Sequence, residues 1–104
     1  MLPTADTEKL FANGMGLHMV HVVGPFLKQK RKNVFVTQKA IYSQGYAQSF
    51  ISDFENGKRK ADLKLIGVYA KALHMEFYDL LIEVIEVQKS LLDEEIQKLK
   101  DLRN

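Results

Sequence analysis

The 104-residue chain contains no cysteine. Disulfides and thiolate metal sites are therefore excluded, and a reducing compartment is compatible with the composition. No apolar run approaches the ~18 residues that a membrane helix needs, so a membrane is not expected as a partner. The N-terminus carries Asp6 and Glu8 rather than a basic region, so no secretory signal is expected and the chain reads as soluble and cytoplasmic. There is no internal repeat and no low-complexity stretch. No carboxylate pair or nucleophile–base constellation stands out, and Gly14-Met15-Gly16 is too sparse for a phosphate-cradling loop. Neither an enzyme nor a cofactor is expected. His18 and His21 could share a helical face, but the sequence places no further ligands beside them, so no metal site is expected.

What is present suits one small folded domain with tails. Hydrophobic residues make up 46% of the chain, an ordinary share for a globular protein. The net charge of +2 hides an asymmetry. Residues 28–60 hold eight cations (Lys28, Lys30, Arg31, Lys32, Lys39, Lys58, Arg59, Lys60) against Asp53 and Glu55, a net of +6. Residues 74–104 hold eight acids against four cations, a net of −4. The middle suits a polyanion and the tail does not. Uneven solvated charge is the plainer alternative.

The periodicity predicts an all-α chain of five helices. Residues 1–22 are hard to read: Asp6 or Thr7 could cap a short helix that Gly14 and Gly16 would end, and LHMVHVV could be a strand, an arm or the lead-in to a helix, being too short for periodicity to decide. Gly24-Pro25 is read as a boundary, with a helix from Pro25 to about Lys32 because proline favours the first helical turn. Thr37 is a good cap for a second helix over roughly 38–44, which Gly45 ends. A third helix starts near Ala47 or Gln48, carries Phe50, Ile51 and Phe54 on its apolar side, and stops at Asn56-Gly57. A fourth runs from about Leu63 to Leu73, with Leu63, Ile66, Tyr69, Ala70 and Leu73 on one face. A fifth starts near Glu76 or Phe77 and continues towards Leu102.

Two short helices joined by a glycine-containing turn suggest a helix-turn-helix, whose second helix enters the DNA major groove. YAQSFISDFENGKRK fits that use, with small polar residues at the tip and cations just behind. Gln48 can pair with adenine, Ser49 can serve as donor or acceptor, and Asp53 can accept from cytosine N4. Lys58, Arg59 and Lys60 would sit over the backbone. A small bundle with surface Gln and Ser is the alternative.

From VGPFLKQKRKNVFVTQ through QSFISDFENGKRK to ADLKLIGVYAKALHMEFYDLL, about 59 of the 104 residues, the chain resembles the phage-repressor (Xre/Cro-type) helix-turn-helix family. The resemblance implies a five-helix lambda-repressor-like domain over residues 23–81, followed by an extended C-terminal helix. It implies base contacts from Gln48, Ser49, and Ser52 or Asp53. It implies phosphate contacts from Thr37, Gln38, Asn56, Lys58 and Arg59. It also implies a structural salt bridge between Arg31 and Glu55. The chain is one residue shorter than the family pattern between Gln38 and Gln48, so either Tyr46 folds in as a substitute or helix two is shorter and tilted. Ala47 replaces the usual Ser/Thr cap, and Phe35 and His74 stand where glycine often ends a helix.

In the tail, Leu81, Ile85, Leu92, Ile96 and Leu99 approach a heptad seam that Gln88 and Glu95 interrupt. Val84, Val87 and Leu91 form an adjacent stripe. Residues 82–104 are therefore expected to dimerise the chain. Taken together, these features predict a dimeric, sequence-specific transcriptional regulator of double-stranded DNA, most simply a repressor reading an inverted repeat. Mobile-element repressors and restriction–modification controllers both suit the size, and the latter's recognition helix and loop look similar to FISDFENGKRK. The rival is a protein-interaction module, such as an antitoxin or scaffold, that keeps the fold and binds a protein partner through its C-terminal helix.

Overall fold

A computed structural model describes residues 20–104 and shows five helices and no strand among them: α1 (Val20–Asn33), α2 (Gln38–Tyr42), α3 (Gln48–Glu55), α4 (Leu63–Ala72) and α5 (Phe77–Arg103). The expectations for residues 1–19, including His18, lie outside the described residues.

Helix α1 corrects the expectation that the first helix starts at Pro25, and it crosses the 22/23 domain boundary. Pro25 lies inside the helix. A residue before proline normally avoids helical backbone because its N–H and its Cβ both crowd the proline ring. Here that residue is Gly24, which has no Cβ, so the larger part of that crowding is absent and the helix runs on through Pro25. Val23 and Leu27, four apart, are buried on its inner side. Gly24 is also pressed onto the end of α3, where an added Cβ would lie 1.6 Å from the Phe54 carbonyl oxygen.

Between α1 and α2 the chain turns through Phe35, which adopts a left-handed backbone (φ 59°) and is 92% exposed. The Arg31 carbonyl accepts from Val34 N at 3.3 Å and Val36 N at 3.1 Å, closing the helix end. Thr37 Oγ1 accepts from Ala40 N and caps α2. Helix α2 is only five residues long, shorter than the expected 38–44. Gly45 takes a φ of 109°, a conformation that residues with a Cβ resist. Tyr46 then folds back on the core and stacks on Phe50 at 5.8 Å. A short α2 and a tyrosine packed against the core therefore occur together.

Helix α4 is capped by Asp62, whose Oδ1 accepts from Leu65 N at 2.7 Å. Its buried face is Leu65, Ile66, Tyr69 and Ala70, with Leu63 and Leu73 half-buried rather than central. His74 takes a left-handed backbone (φ 55°) at its end. Glu76 caps α5. Helix α1 packs on α3 and α5, α4 packs on α5, and α2 packs on α3 and α4. Phe54, Tyr69, Leu27, Ile41, Ile51, Leu65, Ile66 and Leu80 fill the centre.

The fifth helix corrects two tail expectations. Leu81 is only 7% exposed and belongs to the core rather than to an outer seam. Val84 and Gln88 are buried too, so the body of the domain continues past residue 81 without a break in the helix. Beyond Gln88, Leu92, Ile96, Leu99 and Leu102 are exposed. Lys30 Nζ meets Glu83 Oε1 at 2.6 Å and ties α1 to α5. Among the described residues no helix is long and apolar enough to cross a membrane.

Candidate nucleic-acid interface

Helix α3 is fixed from its inner side. Ile51, Phe54 and Glu55 are fully or nearly fully buried, at spacings of three and one. The opposite side is thereby turned to solvent. Gln48 and Ser49 are exposed at the N-terminal tip, and Ser52 and Asp53 are half-buried one turn further on. Ala47 offers no side-chain cap, so the first amides of α3 have no partner from their own cap residue.

The inner anchor is an ion pair. Arg31 Nε donates to Glu55 Oε2 at 2.9 Å, and Arg31 Nη2 donates to Glu55 Oε1 at 2.8 Å. The two-pronged geometry suits a guanidinium facing a carboxylate. A third nitrogen of Arg31, Nη1, donates to the Val36 carbonyl at 2.8 Å. Tyr69 Oη donates to Glu55 Oε2 at 2.6 Å from α4, and Gln38 Nε2 donates to Glu55 Oε1 at 3.2 Å from α2. One carboxylate thus joins α1, α2, α3 and α4. Burial alone pushes the Glu55 carboxyl up, but the bonds from Arg31, Tyr69 and Gln38 outweigh it and hold the group below the usual carboxylate range. The same bond raises Arg31. Burial, then the Glu55 hydrogen bond, push the Tyr69 phenol far up.

The outer positions have their own partners. Ser52 Oγ donates to Gln38 Oε1 at 3.3 Å. Asp53 lies 3.9 Å from Arg59, whose guanidinium sits 5.4 Å over the Phe50 ring. Thr37 is exposed beside Gln38. Asn56, Lys58, Arg59 and Lys60 are exposed past the end of α3, with Gly57 (φ 81°) making the turn. In the tail, Ile85 is half-buried, while Leu92, Ile96 and Leu99 face solvent and Leu81 does not join them.

The same arrangement of helices occurs in solved structures. The chain is similar to the crystal structure of the clp gene regulator ClgR from C. glutamicum, with 22% identity and a TM-score of 0.54 over 64% of this chain and 88% of that one. It is similar to PrgX in its complex with iCF10, with 22% identity and a TM-score of 0.55 over 77% of this chain and 30% of that one. The chain therefore spans less than a third of the PrgX chain. No protein-family model matches it, and no curated protein does. The chain has a helix-turn-helix fold.

In this helix-turn-helix, α2 and α3 are the paired helices, and the Gln38 side chain is shared between them. Lys28 is a residue that the sequence reading left out of the site. Its Nζ lies 3.5 Å from Asn56 Oδ1, which brings an α1 cation to the C-terminal end of α3. Its only signal in sequence was membership of the basic segment. No group of three or more His, Asp or Glu side chains that could hold a metal occurs among the described residues.

Proposed function

We propose that the chain is a sequence-specific regulator of transcription that binds double-stranded DNA as a homodimer, most simply a cytoplasmic repressor of the phage-repressor type and not an enzyme. The observation that carries this reading is the split character of α3. Its inner side is locked into the core through Ile51, Phe54 and Glu55, while Gln48 and Ser49 stand free at its tip and four polar or cationic residues follow its end. Short polar side chains at a helix tip can reach base edges, and cations beyond it can hold phosphates. Gln48, Ser49, Ser52 and Asp53 would face bases. Thr37, Gln38, Asn56, Lys58, Arg59 and, in addition, Lys28 would face the backbone. The dimer would form through Ile85, Leu92, Ile96 and Leu99 of α5. Two copies would then read half-sites of an inverted repeat about 34 Å apart.

The test is selection from a random duplex library with the purified protein, beside a Gln48→Ala, Ser49→Ala double variant. Enrichment of an inverted repeat by the wild type that the variant loses is the expected result. Affinity should also fall steeply with salt, with a slope near −0.9 per phosphate contacted. A second reading, a protein-interaction module such as an antitoxin or scaffold, is favoured by the five-residue α2 and the exposed α5 stripe. PrgX, which shares the fold, was solved in a complex with iCF10. A flat salt response and no enriched duplex would select this second reading.

A further inference from the structure

The Gln38 amide stands between the buried ion pair and the outer face of α3. Its Nε2 donates to Glu55, and its Oε1 accepts from Ser52 Oγ. The reversed amide would set a carbonyl oxygen against an ionised carboxylate, which is repulsive, so the polarity of the amide is fixed. Glu55 is kept ionised by the paired guanidinium of Arg31. Donor directions therefore run in one sense, from Arg31 and Gln38 to Glu55 and from Ser52 to Gln38. A serine hydroxyl has one hydrogen and two lone pairs. At Ser52 the hydrogen is committed inward, and only lone pairs face out.

We infer that Ser52 reads DNA only as a hydrogen-bond acceptor, selecting an exocyclic amino group (adenine N6 or cytosine N4) in the major groove, and that Gln38 is the positioning residue that sets this polarity. The inference rests on α3 being the recognition helix. A free serine serves as donor or acceptor, so the sequence alone leaves Ser52 ambiguous. Asp53, the next residue, is acceptor-only when ionised. The inner half of the reading face is thus acceptor in character, while Gln48 at the tip carries both a donor and an acceptor.

Every base pair shows one amino group in the major groove, so pair identity does not decide the question, and deletion of single atoms does. Duplex selection by the wild type and by Ser52→Ala locates the pair whose preference depends on Ser52. At that pair, purine in place of adenine, or 2-pyrimidinone in place of cytosine, removes the amino group. A 7-deazapurine removes the N7 acceptor instead. Deleting the amino group should weaken the wild type about five- to tenfold and cause no further loss in Ser52→Ala, while 7-deaza substitution should affect both proteins equally. Gln38→Leu frees the hydroxyl to turn towards an acceptor of the same pair (adenine N7, or guanine O6 where the contacted base is cytosine) and should cut the amino-deletion penalty to about twofold. Any uniform loss of a phosphate contact cancels in that ratio.

A 7-deaza penalty that disappears in Ser52→Ala would show that Ser52 donates, and would overturn the inference. An unchanged amino-deletion penalty in Gln38→Leu would overturn the role of Gln38. If the wild type enriches an inverted repeat and Ser52→Ala enriches the same one with no altered position, the reading of DNA stands and this inference fails. If the wild type enriches nothing, both fail.

Discussion

Replacing Gly24 with alanine tests the contact that sets the position of α3. The new Cβ would lie 1.6 Å from the Phe54 carbonyl oxygen and 2.6 Å from its carbon. That is about 1.8 Å short of ordinary contact. Neither side can yield by rotating a side chain, because both atoms belong to backbone. The Phe54 carbonyl is further fixed by the Gly57 N–H at 3.0 Å. Helix α1 must therefore move off α3, opening the packing around Val23, Leu27 and Phe54. Overpacking a tight core costs about 1–3 kcal/mol, and a backbone clash belongs at the upper end, about 3 kcal/mol. For a domain of this size that lowers Tm by roughly 15 °C. Gly67→Ala is the internal control. Gly67 is helical, and its Cβ would meet only Phe77 at 3.8 Å. Alanine there should stabilise by about 0.8–1 kcal/mol through helix propensity. The assay is urea denaturation of both variants at fixed protein concentration. A Gly24→Ala protein within 1 kcal/mol of the wild type would refute the reasoning, because α1 and α3 would then be looser than the contact implies.

Arg31→Met leaves Glu55 buried without its counter-ion and should cost about 3–5 kcal/mol, while Arg31→Met with Glu55→Met should recover much of this, as read by a urea-denaturation cycle. Because the folded Glu55 pKa is depressed, its stabilising contribution is present above the ordinary carboxylate pKa of 4.5 and is lost as pH falls through the lower folded value. Glu55→Gln should flatten that part of the acid-denaturation profile. For the dimer proposed through α5, Ile96→Lys should shift sedimentation from dimer to monomer at micromolar concentration while leaving the helix content of the domain intact. Leu81→Ala should instead lower Tm, through a loss of about 2–5 kcal/mol, because Leu81 is in the core.

The legible parts of the fold were those governed by local chemistry. Thr37 announced the start of α2, Asn56-Gly57 the end of α3, and the periodic apolar residues the extent of α4. The helix-start preference of Pro25 does not mark the start of α1, because its neighbour Gly24 lets the helix run through. Gly24 removes the Cβ part of the pre-proline clash and also admits the α3 backbone, and that second demand comes from a residue 30 positions away. The tail was misassigned at Leu81 because two apolar stripes run side by side on α5. Spacing cannot tell which of them faces a core whose position depends on α1 and α4. The candidate interface could be listed from sequence only as residue types and not as a network. Ser52, Gln38 and Glu55 are separated by 14 and 17 positions, and a hydrogen-bond direction between them exists only once α2 and α3 are packed.

The turn before α3 gives the last prediction. Directly after Gly45 the Tyr46 ring is packed against the core and stacked on Phe50. Its hydroxyl is buried and has no hydrogen-bond partner among the described residues. Burial and the nearby Asp62 charge raise its pKa, so the phenol stays neutral. A buried unpaired hydroxyl costs about 1–3 kcal/mol. Tyr46→Phe keeps the ring and deletes the cost, so it should raise stability by about 1 kcal/mol and leave DNA selection unchanged. Tyr46→Ala removes the prop itself. It should lose about 3 kcal/mol and reduce the ratio of specific to non-specific DNA affinity, because the tilt of α3 is no longer held. Destabilisation by Tyr46→Phe would mean that the hydroxyl has a partner in solution. An unchanged affinity ratio in Tyr46→Ala would mean that Glu55 and Gly24 alone set the angle of α3.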